Sequence, residues 1–299
     1  MLNIIGLGKD AQSQWEYLLN KRSVSPANLS RAKREYGVSL FNLGRYREAG
    51  VLYKEAVETA RRNHNDPSFI ASTILDEAEA ERCYGNFSQF IVLLCEAYSF
   101  IHGGIHARKV RSQYSAMLFL RIGQLFQTLL TNFDVKDHQF IKKILTDSVR
   151  PALEDAEKLF EADDNFFGKS HLKYRLGKIK KDPTRLKELD REYTRLGYVI
   201  GRINSLRELA RTEIKSGDLD SALGHINTTL SLAQQIYDPP GLAKGNEIRG
   251  LIKYKQNKLN AANYSFSKSL YYYSKMQTTE LIGDFIVQRI NALSHRIKG

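Results

Sequence analysis

Four turn residues, Gly44, Gly85, Gly217 and Asn257, sit in nearly the same surroundings. Each is preceded seven positions earlier by a small residue (Gly37, Ala78, Ala210, Gly250) and followed two positions later by an apolar or aromatic one (Tyr46, Phe87, Leu219, Leu259). A small residue then comes three further on in Ala49, Ala222 and Ala262, where Phe90 is the exception, and a bulky one four after that in Tyr53, Leu94, Ile226 and Phe266. Flanking segments carry apolar residues at helical spacing, so the unit reads as helix, tight turn, helix. Small against large at i and i+4 lets two helices approach and interlock on one face. The turns lie 41 residues apart from Gly44 to Gly85 and 40 apart from Gly217 to Asn257. A unit that cannot bury its own face must stack on a neighbour, which constrains the chain to a helical array.

Composition agrees. Six Pro in 299 residues and a hydrophobic share of 42% suit a folded, almost wholly helical chain. Residues 106–131 and 137–162 read as two long helices, the second carrying Pro151, which should kink or break it. Residues 168–181 and 184–197 read as a shorter hairpin, and 278–297 as a last amphipathic helix. The expected organisation is one all-α solenoid: an N-terminal segment (1–25), repeats (26–102), divergent helical pairs (103–202), repeats (203–276) and a capping helix (277–299).

The pattern of Gly37, Gly44, Ala49, Tyr53 and Ala56 resembles the tetratricopeptide repeat family, in a long-period form of about 40 residues rather than 34. The resemblance covers 31–102 and 203–275. Lys33 stands where the family has an early Trp. It implies an α-α superhelix of antiparallel helix pairs that acts as a protein or peptide interaction module, regulatory or scaffolding. In that fold the first helix of each pair lines a concave groove, which here implies Arg34, Val38, Phe41 and Asn42; Ser72, Glu79 and Arg82; Asn204, Arg207, Arg211 and Lys215; and Lys244, Leu251, Tyr254 and Lys255. Basic residues dominate this set, so the expected ligand is an acidic or carboxylate-ended protein or peptide segment. The expected contacts come from Arg34, Phe41, Asn42, Arg82, Asn204, Arg207, Arg211, Lys215, Tyr254 and Lys255. Val38 and Arg211 occupy places where the two-carboxylate clamp of chaperone-binding members needs Asn, so that clamp is not reproduced.

The formal charge of +12 is uneven. Residues 1–100 balance, whereas 101–200 carry 19 Lys and Arg against 13 Asp and Glu, and 201–299 carry 14 against 8. Within 169–195, ten basic residues face four acidic ones. Lys173, Arg175, Lys178, Lys180, Lys181 and Arg185 therefore form an alternative nucleic-acid-binding patch, whose binding would fall steeply with salt. No base-reading motif accompanies it, and Asp190 and Glu192 interrupt the stripe.

Other motifs carry little chemistry. The stretch "GLGKD" at 6–10 is too short for a phosphate loop, and Asp10 replaces the required hydroxyl. His102 and His106 have the i,i+4 spacing of a zinc pair, but Gly103 and Gly104 lie between them and no further ligand is near. The remaining histidines show no catalytic spacing, so no enzyme activity, cofactor or metal is expected. Cys83 and Cys95 read as buried free thiols. Tyr271, Tyr272 and Tyr273 lie about 100° apart around a helix, so at most two share a face. No apolar run approaches the roughly 18 residues of a membrane helix, and the opening "MLNIIGLGKDAQSQW" lacks a secretory pattern. A soluble cytoplasmic chain is expected.

Overall fold

A computed structural model describes residues 25–63, 66–104 and 180–278, with shorter stretches and single positions within 14–19, 114–122, 154–177 and 283–291. The helices expected over 106–131 and 137–162 lie almost wholly outside the described residues, as do the N-terminal segment and much of the C-terminal helix. The described residues are helical and contain no strand.

The described helices are α1 (Pro26–Asn42), α2 (Tyr46–Arg62), α3 (Pro67–Tyr84), α4 (Phe87–Gly104), α5 (Pro183–Arg195), α6 (Val199–Ser216), α7 (Leu219–Gln235), α8 (Pro239–Lys255) and α9 (Leu259–Tyr273). They fall into two compact units, an amino-terminal one with α1 to α4, apart from Asn42–Arg45 at the α1–α2 turn, and a carboxy-terminal one with α5 to α9.

In the amino-terminal unit, Asp66 caps α3 by accepting from the Ser68 amide at 2.9 Å, with Pro67 beside it in the first turn. Gly85 ends that helix at φ 107°, and the Asn86 amide reaches back to the Glu81 carbonyl at 2.9 Å. The α3–α4 pair buries Ile74, Leu75 and Ala78 against Phe90, Leu94 and Ile101, with Val57 and Ala60 of α2 completing the core. Each large apolar side chain so buried contributes roughly 1.5–3 kcal/mol. A second cluster joins Leu40, Ala49, Tyr53 and Ala80. Lys33, at the place of the absent Trp, instead reaches Glu55 of α2 at 2.8 Å.

The carboxy-terminal unit repeats one device at every junction. Gly197, Gly217, Tyr237 and Asn257 all have positive φ (66°, 88°, 56° and 57°) and follow one another at intervals of 20 residues. After each, the next amide bonds five residues back: Tyr198 to Tyr193, Asp218 to Glu213, Asp238 to Ala233 and Lys258 to Lys253, at 2.8–3.0 Å. This is the Schellman closure, which satisfies carbonyls that a helix end leaves open. Asp218 and Asp238 then cap the following helices through the Ser221 and Gly241 amides. Each helix packs on the next, and α6 also meets α8. The result is an all-α stack of antiparallel helix pairs.

The small and bulky positions meet across each turn. A Cβ on Gly37 would come within 2.7 Å of the Tyr53 ring, and one on Gly250 within 2.4 Å of the Phe266 ring. Ala210 and Ile226 share one buried cluster, and Ala78 and Leu94 another. One expectation is corrected: Cys95 is exposed, on the solvent face of α4, and Cys83 is only half-buried, with an Arg82 terminal nitrogen donating to its Sγ at 3.3 Å; neither is in a disulfide.

Candidate functional site

The expected groove residues of the carboxy-terminal unit lie on α6 and α8. Asn204 and Arg207 are one turn apart on α6, and the Asn204 Oδ1 accepts from an Arg207 terminal nitrogen at 2.8 Å. Arg207 is only 8% exposed, and its Nε has no hydrogen-bond partner. Among the described residues no carboxylate reaches ion-pair distance of it. The charge of Arg207 is nonetheless felt by Asp238. Burial pushes that carboxyl up, while the Gly241 amide, Arg207 and Lys244 oppose the rise.

One turn further along, Arg211 is paired with the buried Glu208 at 2.5 Å. Lys215 and Lys255 are exposed, and Tyr254, Lys244 and Leu251 are half-buried. On the opposite edge Glu213 holds His225 of α7 at 2.7 Å. The structure therefore brings Asn204, Arg207 and Arg211 onto one stretch of α6, with Lys215 at its end.

In the amino-terminal unit the expected residues are engaged differently. The Arg34 Nε and terminal nitrogen both donate to Asp76 Oδ2, at 2.9 and 2.8 Å. Arg82 grips both oxygens of Glu79 at 2.7 and 2.8 Å. Arg121, which lies outside every motif in the sequence, approaches Asp76 at 3.7 Å and Glu79 at 3.3 Å. Two carboxylates of α3 thus hold three guanidinium groups in a network that is largely buried. Burial works against the Arg34 charge, and the charge and hydrogen bonds of Asp76 outweigh it, so the group is held more basic than usual. The Tyr53 phenol borders this network. Burial, then the Asp76 charge, drives it well above its ordinary value against Arg34 and Arg121. Phe41 packs into the cluster of Leu40, Ala49 and Tyr53 and meets the Tyr46 ring at 5.1 Å, while Asn42 is half-buried at the end of α1. Sequence reasoning missed Asp76 and Arg121. Asp76 sits three residues before Glu79 on the same helix, which was the one signal present.

Of the alternative basic patch, Lys180 and Lys181 are exposed, Lys173 is half-buried and Arg185 stands 4.0 Å from Asp182. Arg175 and Lys178 lie outside the described residues. Asp190, in the same segment, is matched by Arg202 at 3.2 Å. Among the described residues no group of three or more His, Cys, Asp or Glu gathers as a metal site would require, and no helix is long and apolar enough to cross a membrane.

The repeated turn and the small-to-bulky interlock define the class: an all-α protein built of consecutive helix pairs. No family model and no curated protein matches the chain. Among solved structures it is similar to a tetratricopeptide repeat protein from Parabacteroides merdae ATCC 43184, with a TM-score of 0.42 and 14% identity, over 90% of this chain and 99% of that one.

Proposed function

We propose that the protein is an interaction module, regulatory or scaffolding, that holds an acidic segment of a protein or peptide partner along α6 and α8. The observation that carries this reading is Arg207. A buried guanidinium with one hydrogen bond to Asn204 and an idle Nε is costly to keep, and an incoming carboxylate would offset that cost. Lys215 and Lys255, at the ends of α6 and α8, add positive charge and Tyr254 adds apolar contact, while the charge of Arg211 is already matched by Glu208. In the amino-terminal unit Arg34 and Arg82 already have carboxylates, so in this reading they shape the module, and the ligand contacts fall to α6 and α8.

The test is recovery of a co-purifying partner by mass spectrometry, followed by capture with Arg207→Met combined with Lys215→Glu. Methionine keeps the apolar volume of Arg207 while removing its charge, so the thermal transition should hold while the partner is lost. Undiminished capture by this folded double variant would overturn the reading.

A further inference from the structure

The outward face of α9 carries a second feature, separate from the α6 surface. Tyr264, Lys268 and Tyr271 follow one another at spacings of four and three, which places them on one side of the helix, and Lys275 follows four residues on in the turn just past its end. Tyr264 is 58% and Tyr271 57% exposed, their neighbours Asn260, Ala261, Ser267 and Ser274 are small and exposed, and the Tyr272 ring meets Tyr271 edge-on at 5.3 Å. The rise between the two rings is about 10 Å. Lys268 and Lys275 each stand 5.1 Å from the ring centroid of the tyrosine four residues before them.

Arg249 joins this face from α8. Its Nε donates to Ser265 at 3.2 Å and a terminal nitrogen to Asn246 at 2.7 Å, both neutral partners. The hydrogen bond from Lys268, then its charge, and lastly the charge of Arg249 draw the Tyr264 phenol below its ordinary value. Among the described residues none of Arg249, Lys268 and Lys275 is paired with a carboxylate, and α9 contains neither Asp nor Glu. This is the reverse of the amino-terminal unit, where Arg34, Arg61, Arg82 and Lys33 are all matched by acids.

A duplicated pair of exposed aromatic ring and cation without a carboxylate partner among the described residues suits a ligand that repeats a flat π-surface and a negative charge. Single-stranded nucleic acid has that chemistry: bases stack on aromatic rings and phosphates track the cations, without a need for sequence readout. A duplex hides its base faces, and an acidic peptide has charge without a flat surface to stack. We infer that the α9 face binds single-stranded nucleic acid, with bases on Tyr264 and Tyr271 and phosphates against Arg249, Lys268 and Lys275.

The experiment is fluorescence anisotropy of a labelled oligothymidylate titrated with the full chain at low salt, repeated at rising salt. Binding should appear and weaken with salt. Tyr264→Ala with Tyr271→Ala should weaken it at least about tenfold, since each stacked base contributes measurably. Lys268→Ala with Lys275→Ala should flatten the salt dependence by about 1.4 in log–log slope. All four side chains are on the solvent face, so circular dichroism should show unchanged folding. The proposal is overturned by no anisotropy change at low salt, by a tyrosine double variant that binds as well as the original chain, or by a duplex or oligoglutamate that competes as well as an unlabelled strand.

Discussion

Gly250 lies flat against the ring of Phe266, so close that a methyl group in its place would come within 2.4 Å of the ring edge. The pair joins α8 to α9 across the turn at Asn257, as Gly37 and Tyr53 join α1 to α2 across Gly44. Gly250→Ala should therefore destabilise the chain by about 1–3 kcal/mol, despite the better helix propensity of alanine. Urea denaturation would measure it. Phe266→Leu in the Gly250→Ala background should recover part of the loss, and full stability of the single variant would show that the contact is loose.

Tyr237 is a large residue held at φ 56°, where two of the three other junctions use Gly197 and Gly217. A side chain in the left-handed region costs about 1 kcal/mol that glycine avoids. Tyr237→Gly should raise the thermal midpoint by a few degrees, whereas Gly217→Ala should lower it. A drop for Tyr237→Gly would mean that the ring makes contacts worth more than its backbone strain.

Asp76 accepts both hydrogen bonds from Arg34 and stands beside Arg121. Removing it by Asp76→Ala leaves Arg34 without its carboxylate and Arg121 with Glu79 alone, an expected loss of about 2–4 kcal/mol, the groups being partly screened. Arg34→Met together with Asp76→Leu should cost much less than the single change. Equal losses for the single and double variants, read from chemical denaturation, would refute this coupling.

Burial, then the charge of Glu81 one turn away, pushes the Glu77 carboxyl up to about 7, against the pull of Lys54 and Arg61. Its folded value thus lies above the unfolded one, so the folded state binds the extra proton between pH 4.5 and 7. Stability linked to this group is fully present below that window and is lost as the pH rises through it. Glu77→Gln should leave stability near pH 4.5 little changed and raise it by roughly 1–3 kcal/mol at pH 8. Denaturation midpoints across that range would show the difference, and parallel pH curves for both chains would rule it out.

Much of the fold was legible in the residues themselves, because its signals are local. A left-handed residue at a helix end, an Asp before the next helix, and small and bulky side chains at fixed offsets act within one hairpin, so Gly44, Gly85, Gly217 and Asn257 mark it openly. The turn at Tyr237 escaped notice because a tyrosine gives no hint of positive φ; only the Ala233 carbonyl waiting for the Asp238 amide reveals it. The candidate site was half legible. The offsets placed Arg34, Arg82, Arg207 and Arg211 on their helices, but charge is settled by distance between residues remote in sequence. Arg34 meets an acid 42 positions away, Arg82 meets Glu79, and Arg207 meets only an amide. The residues alone thus determined an array of interlocked helix pairs. Only the tertiary structure decided which cations are consumed in holding it together and which, such as Arg207 of α6 and Lys268 of α9, meet no carboxylate among the described residues, because Coulomb energy depends on the packed geometry and on the water it excludes.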